Sequence, residues 1–392
     1  MSTIKFIIPS RAFTAALQQV ASVVSNQPVV PILENLLITV TGSVVGQAAT
    51  MRLLCSNLET ELSVDLPVEC IENFAAAVPA KKLLTLLKGF PDAPVTCTWN
   101  PENYAFELAV GRGKYKLAGE NPGDFPKPRK QATTALSVTM PTPALRAALT
   151  ATLTLCGNDT NRPAMTAVLV EASNTELRFV GCDGHRVGYW QESKRNDLCG
   201  VTWSGPGTFL IPRLAAGLLL AQLDPKSTAD VTLTADATNV RTADGRWITR
   251  LVDERYPAYR NVIPPAASNA NVAVVDRDEL LTTVRRLEQL ANEKTKQIRL
   301  AFTGHELTAT AEDLDFSSEG SEVLGCDYAG EPMEIGFSAT YLTQTLALLP
   351  AGPVRIAMST PNRAATLTAG DDSPEAPSLL YLVMPVTLNQ YV

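Results

Sequence analysis

Six times along the chain, a short apolar run feeds a helix starter followed four and eight residues later by residues that are apolar in nearly every copy. The copies are Pro9/Phe13/Leu17, Pro79/Leu83/Leu87, Pro141/Leu145/Leu149, Pro212/Ala216/Leu220, Asp276/Leu280/Val284 and Ser338/Leu342/Leu346. Proline suits the first helical position, and Asp and Ser suit the N-cap. The i, i+4, i+8 spacing puts the following residues on one helix face. The preceding runs, at residues 4–8, 75–78, 136–140, 208–211, 272–275 and 334–337, have the β-rich character of short strands. Successive starters lie 62 to 71 residues apart, and a longer period takes Pro9 to Pro141 in 132 residues and Pro141 to Asp276 in 135. Pro91, Pro225 and Pro350 close units two, four and six and lead into strand-like runs at Val95, Val231 and Val354. Asp124-Phe125-Pro126 and Arg255-Tyr256-Pro257 close the first two long repeats alike. A repeat of this kind governs the whole fold. The expectation is an α+β chain of three tandem domains, residues 1–127, 128–264 and 265–392, each built of two half-units of strand, helix and several strands.

A chain of 392 residues, 45% apolar and 19% charged, has the composition of a globular protein with a core. Its apolar stretches stop short of the roughly 18 residues a membrane helix needs. The N-terminus alternates apolar residues with Lys5 and meets Pro9 at once, so no secretory signal and no membrane partner are expected. The seven cysteines form no CxxC pair, and their odd number fits buried thiols in a reducing cytoplasm. There the Asn158-Asp159-Thr160 sequon has no meaning as a glycan site. The links at residues 126–130 and 264–265 are proline-rich and predict stiff joints. Residues 371–377 read as a hairpin loop before a last strand.

A net charge of −7 argues against a protein coated in basic surface. Its distribution says something else. The expected helices at residues 11–24, 81–88, 144–155 and 213–223 carry Arg11, Lys81, Lys82, Lys88, Arg146 and Arg213, and no carboxylate. The expected helix at 277–296 is mixed, and that at 340–349 is neutral. Acid-poor helices sharing one side would attract a phosphate backbone without reading bases. The plainer alternative is that they are apolar core helices with solvated ends. Nothing resembles a helix-turn-helix, a zinc finger or an aromatic RNA-stacking motif.

Catalytic parts are missing. The two histidines, His185 in Asp183-Gly184-His185-Arg186 and His305 in Thr303-Gly304-His305-Glu306, both sit in apparent turns. Gly111-Arg112-Gly113-Lys114 lacks the spacing of a phosphate loop and opens a strand, not a helix. No HExxH, GxSxG or clustered metal-ligand set occurs. Neither a cofactor nor a metal is expected.

With a threefold repeat and acid-poor helices, the chain resembles the bacterial β sliding clamps, the processivity subunits of DNA polymerase III, over essentially its whole length. The motifs that carry the resemblance are Pro28-Val29-Val30-Pro31-Ile32-Leu33-Glu34-Asn35-Leu36, Asp183-Gly184-His185-Arg186, residues 251–260 (LVDERYPAYR), Met333-Glu334-Ile335-Gly336-Phe337 and Tyr381-Leu382-Val383-Met384-Pro385-Val386. The resemblance implies domains of two helices backed by antiparallel sheet, two chains closed head to tail as a homodimeric ring, and helices lining a hole that holds duplex DNA. It implies a pocket for a short partner peptide, carrying Gln and one or two large apolar side chains, from the polymerase III α subunit, the clamp loader and others. Carried over by position, that pocket comprises Met165, Cys182, Gly184, His185, Arg186, Val187, Pro257, Val262, Leu382, Val383, Met384, Pro385 and Val386. Arg11, Lys81, Lys82, Lys88, Arg146, Arg162 and Arg213 would face DNA. Ring closure would set Tyr115 and Leu117, on the edge strand at 114–117, against Leu287 and Leu290.

This chain departs from the family pattern at Gln27, where a basic residue is frequent, and at Pro163-Ala164, where well-known members carry a tyrosine pair. Thr387 stands where arginine is common, and Asn389 to Val392 extend past the usual end. The competing reading is a clamp-fold DNA-repair scaffold or regulator that does not close a ring; solution mass separates the two.

Overall fold

The protein is described by a computed structural model covering residues 3–43, 48–127, 129, 133–193, 200–370 and 378–388. The loop expected at 371–377, Cys199, the tail at 389–392 and Pro128 and Lys130 of the first link lie outside the described residues. Two compact units are present, Met1–Ser137 with Val231–Leu251, and Val138–Asp230 with Val252–Val392.

In the first unit, β1 (Ile4–Pro9), β6 (Pro94–Asn100), β7 (Ala105–Val110) and β8 (Gly113–Ala118) form an antiparallel sheet in that order, with β8 at its edge. A second sheet runs β5 (Phe74–Pro79), β2 (Asn35–Thr41), β3 (Thr50–Ser56), β4 (Thr60–Pro67), β17 (Trp247–Arg250), β16 (Asn239–Thr242) and β15 (Asp230–Ala235). Strand β17 pairs with β4, Trp247 opposite Leu62, so a strand from the expected second repeat extends the sheet of the first. Helices α1 (Ser10–Val20) and α2 (Ala80–Lys88) pack together over this framework. Their buried faces hold Phe13, Leu17, Leu83 and Leu87.

The second unit repeats the scheme twice. One nine-stranded sheet runs β14 (Gly207–Pro212), β10 (Ala167–Ala172), β11 (Glu176–Cys182), β12 (Arg186–Ser193), β26 (Ser378–Val383), β25 (Ala365–Ala369), β24 (Pro353–Met358), β18 (Asn271–Asp276) and β22 (Asp327–Tyr328). Strands β12 and β26 join across it, Val187 opposite Leu382. A four-stranded sheet runs β21 (Ser318–Gly325), β20 (Glu306–Asp313), β19 (Gln297–Thr303) and β23 (Met333–Ser338), with β21 at the edge. Strand β9 (Leu136–Pro141) pairs with the short β13 (Thr202–Trp203). Helices α3 (Thr142–Leu153) and α4 (Arg213–Gln222) pack as one pair, and α5 (Arg277–Leu287) and α6 (Ala339–Leu346) as another.

All six strand–helix junctions form, with two corrections of detail. Pro9, Pro79, Pro141 and Pro212 stand at the N-cap, not at the first helical position, with φ of −61°, −55°, −57° and −51° and extended ψ. Each strand runs into its helix without a loop. The junction residue therefore needs extended ψ, and the ring-fixed φ of proline serves both elements. Asp276 caps α5 as expected, its carboxylate accepting the Glu279 N–H at 2.9 Å. Helix α5 ends at Leu287 and not near 296. Asn292 turns its side chain to the N–H groups of Lys294 and Thr295, and Lys296 adopts φ of +48° before β19. Every following residue of the six-fold pattern is buried except Leu220, which is half-buried because α4 presents Ala215, Ala216 and Leu219 to the core.

A further repeat mark emerges only in the structure. Short 3-10 turns at Pro31–Glu34 and Pro163–Thr166 each lead directly into a strand, β2 and β10. Phe125 packs with Ile32 and Leu33 in the first case, and Tyr256 packs against the cluster holding Ala164 and Met165 in the second.

Candidate functional site

The turn between β11 and β12 is the pivot of the second unit. Gly184 takes φ of +90°, a conformation that side chains other than glycine rarely adopt. Asp183 Oδ1 accepts the N–H groups of His185 (2.9 Å) and Arg186 (2.7 Å), and Oδ2 accepts from Arg186 Nε (3.0 Å) and Nη2 (2.8 Å). Arg186 is only 4% exposed. Its Nη1 donates to Gln344 Oε1 at 2.8 Å, and its guanidinium lies over the ring of Tyr341. The imidazole of His185 stacks on the same ring, centroids 5.5 Å apart and 24° from parallel. Helix α6 is thus bound to a turn more than 150 residues earlier. The chain after β26 lies along the same turn, with Met384 N donating to His185 O at 2.9 Å and Val386 N to Gly336 O at 2.9 Å.

Close packing from behind fixes the turn. A Cβ at Gly181 would stand 2.3 Å from the carbonyl of Thr152, so glycine lets the last turn of α3 lie directly on β11. Beside the turn opens a cleft of about 520 Å³ lined by Thr154, Cys156, Gly157, Asn158, Asp159, Arg162, Met165, Asp183, His185, Arg186, Arg213, Tyr341 and Gln344. Beneath Met165 lies an apolar cluster that includes Ala164, Leu169, Val180, Cys182, Val187, Tyr259 and Leu382.

Of the thirteen residues carried over by resemblance, Met165, His185 and Arg186 line the cleft, and Gly184 shapes its turn. Cys182, Val187, Leu382 and Val383 are buried, the first three of them in that apolar cluster. Met384 is 42% exposed beside His185. Pro385 is half-buried next to it, and Val386 pairs with Gly336. Pro257 and the exposed Val262 sit on a segment anchored by its own tyrosines. Tyr256 OH donates to Val180 O at 3.4 Å, and Tyr259 OH to Glu171 Oε2 at 2.5 Å. Arg260 Nη2 reaches the same oxygen at 2.8 Å. Burial pushes Glu171 up, but the hydrogen bonds from Tyr259 and Arg260 outweigh it and hold the carboxyl below its usual range. Burial and the bond to Glu171 push Tyr259 up to about 12. Tyr341, Gln344 and Asn158 line the cleft in addition to the expected pocket residues. Tyr341 and Gln344 share a face of α6 by their i, i+3 spacing, but no local signal links that helix to the 183–186 turn.

Burial pushes the Cys156 thiol up to about 12 and raises that of Cys182, so both are neutral and poor nucleophiles. The six described cysteines are free and buried. Among the described residues, no group of three His, Cys, Asp or Glu side chains is placed to hold a metal. A larger hollow of about 960 Å³ lies over the outer face of β19, β20 and β21. It is walled by Thr308, Thr310 and Ser321, by the Arg299–Glu334 ion pair (2.9 Å) and by the carboxylates of Glu312, Asp315 and Glu319.

The other expected site residues fall in differing surroundings. Arg11, Lys82 and Lys88 are exposed on α1 and α2. Lys81 is tied to Ser25 O (3.0 Å) and Asn26 Oδ1 (2.5 Å), where it pins the loop before Pro28. Arg146, expected to face DNA, instead donates to Leu220 O (3.1 Å) and Leu223 O (2.6 Å) and caps the C-terminal end of α4. Arg162 and Arg213, expected to face DNA, line the cleft. Tyr115 and Leu117 lie on the open edge of β8, where the Tyr115 ring packs tilted by 40° against Phe90 with centroids 5.0 Å apart. Leu290 is 36% exposed, but Leu287 is 2% exposed and belongs to the core, because α5 turns it inward over Gly320.

Comparison with known proteins adds the family. Residues 4–128 match the family described as DNA polymerase III beta subunit, N-terminal domain, and residues 260–387 match its C-terminal domain. The chain is 30% identical over 387 residues to the beta sliding clamp of Vibrio cholerae, covering 98% of this chain and 100% of that protein. It is 28% identical over 391 residues to that of Proteus mirabilis, with the same coverage. The solved sliding clamp of Pseudomonas aeruginosa with ligand superposes with a TM-score of 0.87 at 26% identity, covering 98% of this chain and 100% of the other. A clamp of the same organism bound to griselimycin gives 0.88 at 26% identity, covering 99% and 100%.

Proposed function

The chain belongs to the DNA polymerase III beta subunit family, the bacterial sliding clamps, and on that premise we propose how its own residues do a clamp's work. It is a DNA polymerase sliding clamp, which encircles duplex DNA as a closed ring and tethers the replicative polymerase for processive synthesis. The observation that carries the detailed reading is a pair of strand edges, one in each unit, that no described strand of the same chain covers. Strand β8 presents Lys114, Tyr115, Lys116 and Leu117, and β21 presents Glu319, Ser321 and Val323 with Leu290 beside it. Unpaired edges are natural pairing surfaces, and these two have opposite charge. Two chains meeting head to tail make this contact twice, and the ring closes.

Exposed cations on α1 and α2, namely Arg11, Lys82 and Lys88, face the phosphates and give weak attraction that salt removes. Linkage, not affinity, keeps the ring on DNA, so its role is that of a processivity factor and not of an enzyme. The polymerase III α subunit, the clamp loader and other partners dock a short peptide in the cleft beside His185. Apolar side chains go onto Met165 and Met384, at roughly 25 cal/mol per Å² buried less the cost of ordering, which puts affinity near micromolar. Among the described residues no helix is long and apolar enough to cross a membrane. The protein works on DNA in the bacterial cytoplasm. A scaffold that leaves the ring open has no observation in its favour.

Primer extension on a long circular template tests the reading, with the host's polymerase and loader present. Products should lengthen many-fold when the protein is added. Unchanged product length contradicts it.

A further inference from the structure

We infer that the cleft beside His185 contains an acid-reading subsite, in which Arg213 assisted by Arg162 takes a carboxylate of the docking peptide. This rests on the peptide-binding reading of the same cleft. Arg213 is the first residue of α4, a helix with no acidic residue in its first turn. Its Nη1 hydrogen-bonds the side-chain oxygen of Asn158, a neutral partner, and among the described residues it makes no ion pair.

The carboxylates in the cleft do not answer that charge. Asp183 is saturated by two backbone N–H groups and by Arg186. Asp159 accepts the Asn161 N–H at 3.0 Å and stands 3.8 Å from Arg162, both side chains more than half exposed. Such a pair is weak, and Arg162 can turn to a better partner. Three guanidinium groups against two carboxylates leave one uncompensated positive charge, in a chain whose net charge is −7. The N-terminus of α4 favours an anion at the same place.

A carboxylate of a peptide fits this arrangement better than a DNA backbone does. The cations sit in a concavity that also holds Asp159 and Asp183, which repel a polyanion but tolerate a single acid between the two arginines. Arginine takes a carboxylate through two parallel N–H groups, which adds direction to attraction.

The test uses fluorescence anisotropy on the full chain. The probes are labelled peptides of Gln plus two large apolar residues, with Asp or Asn substituted at each remaining position. At one position the Asp peptide should bind about fivefold more tightly at low salt, the size of a well-placed partly exposed charge pair. Arg213→Gln should abolish that preference, so that the Asp and Asn peptides bind alike. Arg213→Lys should keep part of it. Absence of preference in the wild type, or its survival in Arg213→Gln, overturns the subsite while leaving the peptide site standing. Failure of every peptide to bind removes both readings together. If Arg213→Gln keeps the preference but slides off circular duplex faster, the cation serves DNA and the subsite is wrong.

Discussion

The guanidinium carbon of Arg186 lies 4.4 Å from the ring centroid of Tyr341, joining a strand residue of the second repeat to a helix residue of the third. The same guanidinium is locked to Asp183, with both side chains almost fully buried. Arg186→Ala leaves that carboxylate buried without its partner and should cost about 3 kcal/mol. Asp183→Asn in the same background should restore part of the loss, because no lone charge remains. Denaturant unfolding of the single and double variants measures both effects.

Ring closure depends on Leu290, exposed at the end of α5 next to the open edge of β21. Leu290→Asp places a carboxylate in the apolar part of the contact and should give monomers in sedimentation. A variant that stays dimeric puts the interface elsewhere.

The terminal segment holds the cleft through the Met384 N–H to His185 O bond. Deleting residues 384–392 should abolish binding of a labelled polymerase tail peptide in anisotropy. The dimer, closed by other surfaces, should persist in the same sample.

Arg146 and Lys82, both on acid-free helices, should separate in their effects. Arg146→Ala removes the cap of α4 and should lower stability by about 1 to 2 kcal/mol with no change in salt-sensitive DNA attraction. Lys82→Glu should leave thermal unfolding near wild type and weaken that attraction. Melting curves and low-salt binding to short duplex check the pair.

Glu171 anchors the segment bearing Pro257 and Val262, and its carboxyl titrates below the usual range. A depressed carboxyl stabilises the folded state above its unfolded value, about 4.3, and that contribution is lost as pH falls through the lower folded value. Hydrogen-exchange protection factors in residues 256–262 should therefore hold from pH 7 to 5 and fall as pH drops through that lower folded value. In Glu171→Ala they should be low throughout.

The six strand–helix junctions were legible because buried faces impose a period that any chain must obey, as Phe13/Leu17 and Leu342/Leu346 do. Helix ends were less so, since α5 stops at Leu287 and Asn292 then accepts the N–H groups of Lys294 and Thr295 in the turn before β19, a local choice that periodicity does not encode. Cleft residues divided in the same way. The turn at 183–186 was visible from Gly184 and Asp183, but Tyr341 and Gln344 reach it only through tertiary packing. Arginine roles were least legible. Arg146, Arg162 and Arg213 have the same chemistry, and only position decides whether each caps a helix, lines a cleft or meets a phosphate.

Retention on DNA of two shapes tests the central claim most directly. Labelled protein is loaded onto a nicked circular duplex, passed over a sizing column at moderate salt, and measured again after the circle is cut once. The clamp account predicts retention on the circle and rapid loss after linearisation, because only the closed ring keeps it there. Equal retention on both forms would mean that the protein binds DNA by affinity and contradict the account.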